Sequence, residues 1–159
     1  SLLRGSYQPD PWPDIGRHEV QLALLPFTGR LPSEEAIRQG RRFNHPLRFT
    51  GTGLQKGPLD PVGRFLRIET ESVIISGLKK AEEDDRIIFH LFNPSDRPAP
   101  IRLTTDKHSP LGRPLKAELT DLLERPLSSP SPRIEGRTIR LTLPPRSLAA
   151  LAIAFSPSS

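Results

Sequence analysis

Cysteine is absent from the 159 residues, so the chain can form no disulfide, no thiolate metal site and no cysteine nucleophile, and its redox compartment stays open. Aromatics are scarce, with one Trp and one Tyr beside seven Phe. No apolar run approaches the ~18 residues a membrane-crossing helix needs, so no membrane partner is expected. The opening Ser1-Leu2-Leu3-Arg4-Gly5 has neither the apolar stretch of a signal peptide nor an initiator Met, which predicts a fragment of something longer.

The length suits one domain, able to bury roughly 70% of its unfolded surface. Of 23 basic residues 18 are Arg, and the net charge is +5. That balance raises nucleic acid as a partner, but the cations are spread along the chain. Their densest run, Arg38 to Arg42, has no interleaved aromatic platform, so no nucleic-acid binding is expected. The 19 Pro and 11 Gly stay below the share that marks disorder and fall as punctuation between short segments.

Residues 1 to 4 and 18 to 25 read as strands, the second with Val20, Leu22 and Leu24 on one face. Pro and Asp between them predict an extended loop carrying Trp12. One helix is expected near residues 34 to 43, with Ser33 as N-cap, Glu34 and Glu35 in the first turn, arginines towards the end and Pro46 as a stop. Ala36, Ile37, Gly40 and Phe43 give it a narrow apolar stripe, suited to a sheet edge.

From residue 47 strand-length apolar runs recur: LRFTGTG, FLRIET, SVIIS, RIIFHLF, APIRLTTD, KAELTDLLE, RTIRLTLPP and SLAALAIAF. With no second helix, the fold class is all-β: an antiparallel β-sandwich, supersandwich-like, in one domain over 1–156 with a frayed tail at 157–159. Alternation over 137 to 143 turns Ile139, Leu141 and Leu143 inward. Residues 123 to 136 read as loop. In the stretch 72 to 96, Val73 and Ile75 face Ile87, Phe89 and Leu91 as hairpin walls, with Lys79 to Asp85 as a charged tip.

Chemistry is sparse. The tip residues Lys79, Lys80, Glu82, Glu83, Asp84 and Asp85 lack the alternating template and central Gly of a calcium loop. His18, His45, His90 and His108 have no zinc-ligand spacing. Ser76 and Lys79 spell SxxK without its partner motifs, and Gly51-Thr52-Gly53 opens no helix that would cradle a phosphate. Asp10 and Asp14 flanking Trp12 are carbohydrate-contact candidates, an aromatic platform with nearby acceptors. No catalytic and no metal residues are assigned.

The order of segments is more specific than any one of them. SLLRGSYQPDPWPDIGRHEVQLALLPFTG, RRFNHPL, SVIISGLKKAEEDDRIIFHLFNPSD, ELTDLLERPL and RLTLPPRSLAALAI resemble, in one colinear series, the C-terminal β-domain of class II α-mannosidases, glycoside hydrolase family 38. The series includes the family's "N.PL", "alKkaed…lyNps" and "nllE" segments. Val20 stands where the family has an aromatic, Phe27 where it has His, and His90 where it has Arg. The resemblance implies a parent enzyme that hydrolyses α-mannosides with retention, using a zinc ion and two carboxylates of a separate catalytic domain. This chain needs no cofactor of its own, and its partners are that catalytic domain and, through the parent, the α-mannoside. The other expectation is a stand-alone carbohydrate-binding module using Trp12.

Overall fold

A computed structural model describes residues 8, 12, 15–54, 56–57, 62–128 and 131–156. The strand expected at 1 to 4, the tail at 157 to 159, Asp10 and Asp14 lie outside the described residues. The elements run α1 (Ser33–Asn44), β1 (Leu66–Glu69), β2 (Ile74–Lys80), β3 (Ile87–Asn93), β4 (Ala99–Thr105), β5 (Pro114–Thr120), β6 (Arg133–Glu135), β7 (Thr138–Leu143) and β8 (Ser147–Phe155). Every strand pairing is antiparallel, and two four-stranded sheets result, ordered β1-β4-β7-β6 and β2-β3-β8-β5.

Alternation builds the core. β4 and β7 turn Ala99, Ile101, Leu103, Ile139, Leu141 and Leu143 inward from one sheet, and β3, β5 and β8 answer with Phe89, Leu91, Leu119, Leu151 and Ile153. Each large aliphatic chain buried there contributes about 1.5–3 kcal/mol of transfer free energy. The predicted inward trio of β7 is found, as are the hairpin walls Ile75, Ile87, Phe89 and Leu91, while Val73 joins the core cluster from just before β2.

Four expectations change. Residues 18 to 25 and 47 to 53 form no strand: Leu24 is 97% and Phe49 90% exposed. Alternation alone cannot make a strand, because its backbone groups need a neighbour to pair with, and no strand of either sheet pairs with these segments. Ser33 begins the helix without capping it; the Pro32 carbonyl accepts from the N–H groups of Glu35 and Ala36, at 3.1 and 3.2 Å. β6 lies inside the stretch read as loop, joined to β7 through Gly136 at φ 61°, a left-handed turn position that glycine takes without steric cost. Lys79 and Lys80 belong to β2, so the hairpin tip is shorter, from Ala81 to Arg86.

The helix sits against the outer edge strand β2. Arg38 donates from Nη2 to the Glu71 carbonyl at 2.6 Å, and Arg41 to the Ser76 carbonyl at 3.5 Å. Ile74, buried on the outward face of β2, lines the hollow between them.

Candidate functional site

The charged tip resolves into separate ion pairs. Lys80 Nζ lies 2.6 Å from Asp85 Oδ1, and Arg86 Nε lies 2.7 Å from Asp84 Oδ2. Arg86 also reaches Glu118 of β5 at 2.5 Å. The backbone N–H of Arg86, then its side chain, hold the Asp84 carboxyl below the usual carboxylate range. Each of these acids is engaged by a side-chain cation, Asp84 and Glu118 sharing Arg86, so they do not converge on one point as ligands of a hard cation must. Among the described residues no group of three His, Asp or Glu could hold a metal ion, and the donors present do not fit zinc.

One contact of the tip is long-range. Lys79 Nζ lies between Glu82 Oε1 at 2.6 Å and Glu124 Oε1 at 2.8 Å, and the N–H of Glu82 donates to Glu124 Oε2 at 3.1 Å. Hydrogen bonds from Lys79 and then from the Glu82 backbone lower the Glu124 pKa, and Glu124 in turn raises that of Lys79. Glu124 sits at φ 63° in the turn after β5. Asp121 organises that turn, its Oδ1 accepting from the N–H groups of Leu123 and Arg125 at 2.9 Å each. The turn therefore closes on the hairpin as a clasp. Both its members occur in the motifs quoted above, Lys79 in the hairpin and Glu124 at the end of the "nllE"-like segment.

The third motif residue, Asn93, ends β3 fully buried. Its Nδ2 donates to the carbonyls of Arg97 and Pro144, both at 2.8 Å, and its Oδ1 accepts from the Ser95 N–H and hydroxyl at 3.1 and 2.8 Å. One side chain thus joins the β3–β4 and β7–β8 connections across the sandwich.

The other sequence candidates among the described residues form no catalytic pair. Trp12 is 74% exposed. Ser76 donates to the His90 carbonyl at 3.3 Å while Lys79 is engaged by Glu82 and Glu124, so SxxK forms no nucleophile and base pair. A hollow of about 810 Å³ is an open groove on the outward face of the β1-β4-β7-β6 sheet. Its floor is a cross-strand row in which Arg102 opposes Arg140 and Arg140 opposes Arg133; Glu69 and Glu135 sit 3.5 and 2.8 Å from Arg102 and Arg140. Like charges directly opposite are unfavourable, and those two carboxylates offset them. Sequence reading missed this row because only register brings the three arginines together.

Fold and site together define a two-sheet antiparallel β-sandwich domain whose motif residues serve connection and packing. Residues 72–148 match the model of the Glycosyl hydrolases family 38 C-terminal beta sandwich domain. The chain is 27% identical over 164 aligned residues to Alpha-mannosidase 2C1 of Homo sapiens, covering 99% of this chain and 15% of that protein. It is 32% identical over 91 residues to Alpha-mannosidase of Saccharomyces cerevisiae, covering 55% of this chain and 8% of that protein. Over residues 72–148, just under half of the chain, the sandwich is similar to the C-terminal β-sandwich domain of glycoside hydrolase family 38, and the chain spans a small part of the length of these relatives.

Proposed function

We propose that this chain is the non-catalytic C-terminal sandwich of an α-mannosidase-like glycoside hydrolase and that it packs against the catalytic domain of that enzyme. The observation that carries the reading is similarity over 99% of the chain to an α-mannosidase of which the matched stretch is only 15%. The engagement of Lys79, Glu124 and Asn93 in internal contacts supports it, since those residues hold the domain together. Apolar side chains such as Leu24 and Phe49, left in water by the sandwich, support a neighbour that covers them. The parent reaction is zinc-dependent retaining hydrolysis of α-mannosides, with nucleophile and acid/base carboxylates about 5–5.5 Å apart in the catalytic domain.

Purified chain incubated with a chromogenic α-mannoside, with and without zinc, is expected to give no turnover, whereas the whole polypeptide turns it over. Zinc-dependent hydrolysis by the chain alone would overturn the reading. The exposure of Trp12 favours a second reading, a carbohydrate-binding module. Titration with mannose oligomers followed by Trp fluorescence separates the two: a saturable shift that disappears in Trp12→Ala marks the module, and a flat response the structural domain.

A further inference from the structure

β8 departs from the pattern the other sheet obeys. On the outward face of β1-β4-β7-β6 stand Glu69, Arg102, Thr104, Arg140 and Thr142, polar throughout but for Pro100 opposite Thr142. In β8 the inward Ala149, Leu151 and Ile153 alternate with an outward Leu148, Ala150, Ala152 and Ala154, so the strand is apolar on both sides. A strand of that composition is one that is covered on both faces. Part of the cover is local. Ala81, Ile88, Ala150 and Ala152 form a second buried cluster on the outward face, and the clasp from Glu124 to Lys79 draws the β5–β6 turn over it.

The turn, and β8 at its start, leave apolar side chains in water. Leu122 is 67%, Leu123 71% and Leu148 68% exposed. The turn bearing the first two is held: Asp121 fixes its backbone, and Lys79 with the Glu82 N–H fixes Glu124 in a left-handed conformation that costs a non-glycine residue free energy. A pre-ordered loop loses little conformational freedom when it docks, and strained backbone persists where the surroundings over-determine it.

We infer that the outward face of the β2-β3-β8-β5 sheet, anchored by Leu122, Leu123 and Leu148, is the surface through which this domain docks into an apolar hollow on the rest of its own polypeptide. The arginine row on the opposite face stays wet. The inference rests on the proposed role as a packed domain and adds which face packs. The occupant follows from length: the matched stretch is 15% of the human relative, so most of such a polypeptide lies outside this chain, tethered at high effective concentration.

The test is made in the whole polypeptide. The chain has no cysteine, so Leu122→Cys, Leu24→Cys and Thr142→Cys each introduce one thiol into it, and maleimide labelling is read peptide by peptide, folded against urea-unfolded. Leu122→Cys is expected to label at least about tenfold more slowly when folded, and Thr142→Cys at its unfolded rate. Leu148→Cys gives the same reading from β8 if the loop variant misfolds. Rapid labelling at both 122 and 148, with protection at 24, would overturn the assigned face and leave the packed-domain role standing. Rapid labelling at all of these positions would overturn both.

Discussion

The ammonium of Lys79, near the end of β2, lies 2.8 Å from the carboxylate of Glu124, in the turn that follows β5 at the opposite edge of the sheet. The contact crosses the outward face of β3 and β8, and it can do so because the positions beneath are Ala150 and Ala152. Small side chains on β8 and a charged pair above them are two parts of one device.

Its pH dependence follows from the two shifts. Glu124 is depressed from its ordinary value near 4.5, so its share of the stability is full above that value and is lost as pH falls through the folded pKa. Lys79 is raised above 10.5, so its share is full below that value and is lost as pH rises through the folded pKa. Between these limits the clasp is intact. Urea unfolding midpoints of Glu124→Gln are expected to fall below wild type at pH 7 and to converge with it as pH falls through the depressed folded pKa of Glu124. Lys79→Met added to Glu124→Gln should cost less than the sum of the two alone; strict additivity would mean that the pair does not interact.

Asn93 makes a larger prediction. Asn93→Ala removes the donors to Arg97 and Pro144 and the acceptor for Ser95 inside a fully buried site. The partner groups are only part-buried, so each lost hydrogen bond costs ~1 kcal/mol and the loss is expected to be about 2–3 kcal/mol by urea unfolding. Asn93→Asp is nearly isosteric, yet it sets a carboxylate against two carbonyl oxygens and should be no better than Ala. A wild-type midpoint in Asn93→Asp would show that the amide donors are dispensable.

These residues also measure what the sequence discloses. The inward trio of β7, the hairpin walls and the helix near 34 to 43 were legible, because periodicity and the placing of acids in the first turn and arginines in the last are local signals. β6 was missed although Gly136-Arg137 forms a two-residue hairpin turn, since the Pro and Ser before it argued for loop. Val20, Leu22 and Leu24 misled for the opposite reason: alternation states what a strand would bury and does not supply the strand it pairs with. Clasp and arginine row escaped a linear reading because register and a folded-back turn create them. The quoted motifs, however, already held Lys79, Glu124 and Asn93 before any contact could be assigned to them.

Gly112 tests the closure of the sandwich at its other end. It sits at φ 75° against the Ser156 carbonyl, where Arg113 and Ser156 exchange hydrogen bonds at 2.8 and 3.0 Å. An added methyl would press into that backbone oxygen, which has no flexible side chain to yield. Gly112→Ala combines a left-handed penalty with overpacking and is expected to cost roughly 2–4 kcal/mol. Gly136→Ala, left-handed as well but in open space, should cost only about 1–2 kcal/mol. Equal midpoints for the two variants would remove the steric part of the argument.

The last prediction concerns the alanines under the clasp. Ala152 is 1% exposed although it faces away from the main core, and it opposes Ile88 of β3 and Glu118 of β5. Leucine there adds volume to a closed space, so Ala152→Leu is expected to cost about 1–3 kcal/mol in urea unfolding. It should also lift the turn and part Glu124 from Lys79, so that the further cost of Glu124→Gln shrinks towards zero in the Ala152→Leu background. Ala154→Leu is the comparison, since that position is half-buried at the sheet margin and should accept the larger side chain at less than about 1 kcal/mol. If Ala152→Leu is tolerated as well as Ala154→Leu, and Glu124→Gln keeps its full cost beside it, the turn does not lie over β8, and the burial of Ala150 and Ala152 needs another cause.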